Sequence, residues 1–169
     1  ETPYGVLIFT GDFKFDYTPM NEEPADLNRI ALYGARNPLA LFSDSTDSIV
    51  PGHQISEKTV AEELRRIVEQ APSQIIIGTF SSLLTRIQQL VTIAEGTGRK
   101  VLLVGRSLNA NVEIAKELGY MKFKPGTVIE EHDLHRTPKE KVMILCSGAQ
   151  GEKNAVLMRI ANKEHRFLA

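Results

Sequence analysis

Residues 100–107 read KVLLVGRS, a short apolar run that is followed at once by glycine, arginine and serine. An apolar run of this length is typical of a strand that is buried on both faces of a parallel sheet. Similar runs lie at residues 6–10, 39–43, 74–79 and 142–147. Segments with helical spacing separate several of these strands. The alternation predicts an α/β fold in which helices flank a compact, mostly parallel five-stranded sheet.

Three segments between the strands have the apolar spacing of amphipathic helices. They lie at residues 60–71, 83–94 and 110–118. Ser56 or Thr59 is suited to cap the first helix, and Gly96 and Gly98 are suited to end the second. We expect these helices to pack against the sheet.

Bulk properties restrict the class of protein. The 169 residues carry 20 basic and 21 acidic side chains, so contact with a polyanion must depend on local placement of charge. The sequence has one cysteine, Cys146, which excludes an internal disulfide framework and fits a protein of the reducing cytoplasm. We interpret Cys146 as a buried structural thiol. No apolar run approaches the roughly 20 residues that span a bilayer, so we expect no membrane contact. The chain begins in a strand-like run without a signal-peptide pattern, and we expect a fragment.

Most of the residues that follow the predicted strands are glycines or have small or polar side chains. They read GDFKFD at 11–16, SDSTD at 43–47, TFSS at 79–82, GRS at 105–107 and SGAQGE at 147–152. Ligands of parallel sheets bind outside the carboxyl ends of the strands, where helix N-termini favour phosphate and Arg106 can add a bidentate contact. The alternative is that these residues are ordinary caps and turn formers. Neither GxGxxG nor GxxxxGK[ST] is present, which disfavours dinucleotide and P-loop sites.

Two aspartates, Asp12 and Asp44, close separate strands. Both are candidate metal ligands or proton-handling groups, and the alternative for each is a helix cap or turn former. The histidines form no motif of the kind that zinc hydrolases use. We interpret the stretch around His132 and His135 as a solvated loop. His53 and His165 are interpreted as surface residues, His165 at the charged end of a helix.

Several blocks of this sequence resemble the ribonuclease J family. They are TGDFKFD at 10–16, SDST at 43–46, GRS at 105–107 with NVEIA at 111–115, and QGE at 150–152 with RIAN at 159–162. The family belongs to the metallo-β-lactamase superfamily and carries an inserted β-CASP domain. The resemblance implies that residues 1–45 are the C-terminal part of a metallo-β-lactamase segment, of αββα fold. Residues 46–169 would then be a β-CASP domain with a Rossmann-like sheet, and the seam would fall in the stretch that contains Pro51 and Gly52.

The resemblance also implies roles for individual residues. Asp12 matches the aspartate that bridges two metal ions in the family, and Asp44 matches the acidic residue of the first β-CASP motif. The complete protein would bind two Zn²⁺ ions, or Mg²⁺ or Mn²⁺, which this fragment is not expected to hold alone. Single-stranded RNA is the implied substrate. Its expected backbone contacts are Ser45, Thr46, Ser81, Ser82, Arg86, Arg106, Ser107, Asn111, Gly148, Gln150, Gly151 and Glu152.

By the same resemblance, the parent protein would be a ribonuclease with 5′–3′ exonuclease activity, endonuclease activity or both. Its expected roles are rRNA processing and mRNA decay, as a cytoplasmic homo-oligomer and a candidate member of an RNA-decay complex. The 169 residues contain neither an HxHxDH cluster nor the family's later histidine motifs. We therefore expect this fragment to be inactive alone.

Four positions depart from the pattern of the family. Asp47 stands where asparagine is usual, and Ala149 stands where serine is common. Leu83 and Thr85 replace an asparagine and a histidine. Two alternatives therefore stay open. One is a relative that binds RNA or a partner without cutting RNA, and the other is an unrelated α/β domain that binds a nucleotide or sugar phosphate.

Overall fold

The computed structural model describes residues 1–20 and 23–168. The chain divides into two compact units, Glu1–Val60 and Ala61–Ala169. In chain order the elements are β1 (Leu7–Phe9), α1 (Leu27–Gly34), β2 (Ala40–Phe42), α2 (Glu57–Gln70), β3 (Ile75–Gly78), α3 (Leu84–Thr97), β4 (Lys100–Val104), α4 (Arg106–Glu117), β5 (Val128–Ile129), β6 (Val142–Cys146) and α5 (Val156–Ala161). Two 3₁₀ helices, Glu131–Arg136 and Lys139–Lys141, precede β6.

The α/β class and the parallel pairing are confirmed, but the strands do not form a single sheet. In the second unit, a four-stranded sheet has the order β3-β6-β4-β5, and all of its pairs are parallel. In the first unit, β1 and β2 form a separate parallel pair. The prediction of one five-stranded sheet was therefore wrong. It also missed β5, whose two residues are too few to produce a recognisable run.

The core of the second unit is built around β6. Its five residues are between 0% and 2% exposed. Met143 and Leu145 pack on one face, in a cluster that includes Leu90 of α3 and Leu108 of α4. The alternate residues of β6 pack on the other face, in a cluster that Val156, Leu157 and Ile160 of α5 also contact. This three-layer arrangement explains why β6 reads as an uninterrupted apolar run.

The helix boundaries correct three expectations. Helix α4 begins at Arg106, four residues before the expected start at residue 110, because Gly105 has a φ of 132° and turns the chain directly from β4 into the helix. Gly96 lies inside α3, and the helix ends at Gly98, whose φ of 66° is left-handed. Thr59 lies inside α2, whose N-terminus is capped by Ser56, since the Ser56 hydroxyl accepts a hydrogen bond from the Lys58 N–H at 3.2 Å.

Two histidine-containing segments also differ from expectation. The stretch read as a solvated loop is the 3₁₀ helix Glu131–Arg136, in which Leu134 packs against the apolar cluster. His132 and His135 are nevertheless exposed. His165 lies beyond the end of α5 and is half-buried, so its interpretation as a surface residue on a helix was wrong. The charged residues next to it in the sequence, Glu164 and Arg166, gave no indication that His165 is partly buried.

Arg99 anchors the C-terminal end of α2, although it lies between α3 and β4. The side chain is 6% exposed. Its guanidinium donates to the carbonyl oxygens of Val68 at 3.2 Å, Ala71 at 2.7 Å and Ser73 at 2.9 Å. Carbonyl groups at a helix C-terminus lack intrahelical partners, and a buried cation with several acceptors satisfies them. This contact fixes α2 to the sheet.

We predict that Arg99→Met lowers the free energy of unfolding by about 2–4 kcal/mol, because buried carbonyl groups lose their donors. Urea denaturation followed by circular dichroism measures the change. Arg66→Met is the matched control, because the exposed Arg66 forms an ion pair with Glu63 on the surface of the same helix. A loss of stability in the control as large as that in Arg99→Met would contradict the anchoring role.

Candidate functional site

A cavity of 980 Å³ opens at the carboxyl ends of β4 and β6. Three residues predicted to contact RNA line it, namely Ser81, Arg106 and Ser107. The other polar or charged lining residues are Asn109, Glu113, Glu130, Glu131, Ser147, Asn154, Arg159 and His165. The sequence prediction missed these eight. Glu130 and Glu131 follow β5, a strand that the sequence did not reveal, and Arg159 lies on α5.

The N-terminus of α4 forms one wall of this cavity. Gly105 is its N-cap residue and makes no side-chain cap. The first N–H groups of a helix have no intrahelical partner, and together with the helix dipole they favour an anion. Arg106 and Ser107 are exposed beside them. The wall therefore offers a guanidinium, a hydroxyl and backbone donors to one ligand.

Two asparagines of α4 hold this wall in place. The Asn109 side-chain amide donates to the carbonyl oxygens of Gly105 at 3.0 Å and Leu103 at 3.2 Å. The Asn111 amide donates to the carbonyl oxygen of Ser81 at 2.8 Å. Asn111, predicted to contact RNA, does not line the cavity but ties α4 to the loop after β3. Its geometry is that of a positioning residue.

The loop between β6 and α5 is held by its own hydrogen bonds. The N–H of Gly151 donates to the carbonyl oxygen of Gly148 at 3.0 Å. The Glu152 carboxylate accepts from the N–H of Gln150 at 3.3 Å. Gly148, Gln150, Gly151 and Glu152 do not themselves line the cavity, and neither do Ser82 and Arg86. The loop leads into Asn154 and Val156, which do.

In the first unit, a smaller pocket of 440 Å³ brings together Asp12, Asp44 and Thr46. Asp12 is exposed, and Ser45 does not line the pocket. Asp44 Oδ1 accepts from the Thr46 hydroxyl at 2.7 Å and from the Thr46 N–H at 2.9 Å. Both hydrogen bonds lower the pKa of Asp44 below its usual value, and the bond from the Thr46 hydroxyl has the larger effect. An aspartate of this kind is an anion at neutral pH and not a proton donor.

The aspartates do not amount to a metal centre. Within residues 1–20 and 23–168, no three His, Cys, Asp or Glu side chains converge in a group that could hold a metal ion. Asp12 contributes one exposed carboxylate, whereas zinc sites use three or four protein ligands. The residues present therefore do not fit a metal pair by themselves. Over the same ranges, no helix is long and apolar enough to cross a bilayer.

Residues 72–169, more than half of the chain, match the family described as "Ribonuclease J, beta-CASP domain". The chain belongs to the ribonuclease J β-CASP family. The fold agrees with this assignment, since the match covers the whole four-stranded sheet with its strand-end cavity. The resemblance drawn from the sequence blocks is confirmed.

Several named relatives match nearly the whole chain. Ribonuclease J 1 of Streptococcus pyogenes is 44% identical over 166 residues, which are 98% of this chain and 30% of that protein. Ribonuclease J of Thermus thermophilus is 41% identical over 171 residues, covering 100% of this chain and 29% of that protein. Ribonuclease J2 of Bacillus subtilis is 38% identical over 168 residues, covering 99% and 30%. The ribonuclease J β-CASP chain described here thus spans less than a third of the length of these relatives.

We predict that Gly148→Ala distorts the loop before α5. A Cβ atom at Gly148 would lie 2.9 Å from the Cβ atoms of Ala155 and Leu157, and the φ of 118° is unfavourable for alanine. We expect a loss of about 2–4 kcal/mol in the free energy of unfolding, measured by urea denaturation.

Gly151→Ala is the matched control in the same loop. Gly151 also has a positive φ, of 74°, but its Cβ would have no neighbour within 4 Å. We expect about 1 kcal/mol of destabilisation from the backbone alone. Equal losses in the two variants would show that contact with α5 does not constrain Gly148.

Proposed function

We propose that this chain is the RNA-binding part of a longer, metal-dependent ribonuclease. We further propose that the 980 Å³ cavity holds the phosphate backbone of single-stranded RNA. The observation that carries the proposal is the position of Arg106, at the open N-terminus of α4 and in the cavity wall. The names of the relatives support the class of activity, since each is a ribonuclease J.

The chemistry of the cavity fits a phosphodiester more closely than a free metal or an apolar ligand. A guanidinium and helix N–H groups recognise phosphate oxygens without reading a base. The carboxylates of Glu113, Glu130 and Glu131 also line the cavity and would repel a phosphate placed against them. The charges therefore favour one path for the RNA backbone, along Arg106 and Arg159.

The exposed apolar surface of the first unit supports the proposed domain organisation. The rings of Phe9 and Phe42 stack at 4.5 Å, yet the two residues are 67% and 54% exposed. A two-stranded sheet is marginal by itself, and parallel strands normally have both faces covered. We therefore propose that residues 1–45 belong to a larger metallo-β-lactamase domain whose remaining strands cover this pair, and that residues 46–169 are the β-CASP domain.

Asp12 and Asp44 take different parts in the proposal. We propose that Asp12 is one ligand of a site for two Zn²⁺ ions, with Mg²⁺ or Mn²⁺ as alternatives, whose other ligands lie elsewhere in the longer protein. Asp44, held as an anion by Thr46, would orient a neighbouring ligand or substrate group, and not transfer a proton. The isolated chain would then bind RNA without cutting it.

The remaining properties of the parent protein extend the same proposal. We propose a cytoplasmic homo-oligomer that acts in rRNA processing and mRNA decay, as an exonuclease, an endonuclease or both, and in a complex with other decay proteins.

The second candidate function is that of a relative that binds RNA or a partner without cutting RNA. It is favoured by Leu83 and Ala149, both exposed at the strand-end loops where the family carries polar side chains. Family membership leaves no support for an unrelated sugar-phosphate enzyme.

The decisive experiment uses the complete gene product. We expect it to bind two zinc ions by elemental analysis and to degrade single-stranded RNA. Asp12→Ala should reduce degradation at least about 100-fold, because a metal ligand is lost. Glu62→Ala, which removes an exposed carboxylate from α2, is the control. Binding of RNA without metal or cleavage would instead establish the non-catalytic relative.

The cavity is tested in the 169-residue chain by its salt dependence. We expect Arg106→Ala to weaken binding of a fluorescent oligouridylate by about 3- to 10-fold and to reduce the log–log salt slope by about 0.7, the value for one phosphate contact to a single strand. Fluorescence anisotropy measures both quantities. Arg66→Ala, a surface arginine of α2 outside the cavity lining, should change neither. An unaltered slope in Arg106→Ala would rule out this wall as the contact surface.

A further inference from the structure

His165 lies in the wall of the 980 Å³ cavity. It follows α5 in the chain and lines the same cavity as Arg106 and Arg159. Its ring packs edge-on against Phe167, with the ring centroids 4.7 Å apart and an interplanar angle of 78°. This contact restricts the rotation of the imidazole. The wall therefore presents a titratable group in a defined orientation.

The two ring nitrogens of His165 differ in their surroundings. Nδ1 is buried and has no hydrogen-bond partner among the described residues. Because Nδ1 is enclosed, Nε2 is the nitrogen through which the ring can meet a ligand in the cavity. A buried polar atom without a partner is uncommon in native structures and calls for a functional explanation. Here it also makes the imidazolium costly, because its second N–H would find no acceptor.

Burial and the neighbouring charges do not all act in the same direction on the charged form of His165. Burial is the main cause that lowers the pKa of His165, the positive charge of Arg159 lowers it further, and Glu131 opposes them. Arg106, Glu113 and Glu130 are the other charged groups of the cavity. Without a ligand, the surroundings of His165 therefore favour the neutral imidazole. An anion placed near Arg159 would offset the repulsion and favour the imidazolium.

We infer that anion binding in this cavity is coupled to protonation of His165, so that RNA binds more tightly as the pH falls. The inference rests on the proposed RNA cavity. The sign follows from linkage. If the bound anion raises the pKa of His165, binding takes up a proton between the free and bound pKa values, and affinity rises through that window from high to low pH. Outside the window, His165 contributes no pH dependence.

The test measures the Kd of the 169-residue chain for a fluorescent oligouridylate of about ten nucleotides, at constant ionic strength. We expect the Kd to fall by about 3- to 10-fold between about pH 7.5 and about pH 5.5, because binding then takes up a proton on His165. His165→Gln should bind at the higher pH but lose this slope. His135→Gln, an exposed histidine outside the cavity lining, should keep it.

The outcomes distinguish a failure of the coupling to His165 from a failure of the proposed RNA cavity. A wild-type slope in His165→Gln overturns the coupling and leaves the RNA cavity standing. Absence of oligouridylate binding by the wild-type chain at every pH overturns both. An NMR titration of the His165 ring protons in the wild-type chain, with and without oligouridylate, does not depend on the folding of a variant. An upward shift of the pKa with oligouridylate supports the coupling, and an unchanged pKa refutes it.

Discussion

The burial of β6 on both faces is the constraint on which the second unit depends. Its backbone pairs with β3 on one side and β4 on the other, and its side chains alternate between two apolar clusters. Both faces of a strand in this position are covered by apolar side chains, so a charged residue would be buried without a partner. Val142–Cys146 accordingly contains no charged residue. Cys146 conforms to the same rule, since burial raises the pKa of its thiol to about 11 and keeps it protonated.

Parallel pairing around β6 determines where a ligand can bind. Because β3, β4 and β6 run in one direction, the chain leaves all three strands at the same edge, and polar side chains that would be unfavourable in the core collect there. Ser81, Arg106 and Ser147 reach one cavity from three separate loops. Asn109 and Asn111 then fix the geometry of the wall through backbone carbonyl groups. The rigidity of the site thus derives from the sheet and from two amides.

The sequence was most informative where burial was greatest. The strands β3, β4 and β6 and the helices α2 and α3 were found because their apolar residues follow one period over several turns or positions. Helix α1, all eight of whose residues are exposed, was not predicted, and β5 was missed because it has only two residues. The start of α4 was misplaced because Arg106 and Ser107 are polar, although Leu108, Val112 and Ala115 recur on one buried face.

The site was predictable only in part, because a cavity combines residues that are distant in the chain. Arg106 and Ser107 were found from the loop after β4, where a strand end leads directly into a helix. Glu130, Arg159 and His165 come from segments whose position depends on tertiary packing. His165 was misjudged for the same reason, since nothing in a run of charged neighbours shows that Phe167 packs against the ring.

The place of β6 in the sheet has a consequence for biosynthesis. The central strand is the last of the four to be made, and among the residues that the structure describes β3 pairs with β6 alone. While a ribosome is still adding residues before Val142, β3 is an unpaired apolar segment and the sheet lacks its middle. Such long-range pairing slows folding and leaves strand edges open to wrong partners. Val68 of α2 and Leu90 of α3 lie in the apolar cluster against which Ile75 and Ile77 of β3 pack, and both helices precede β6 in the chain.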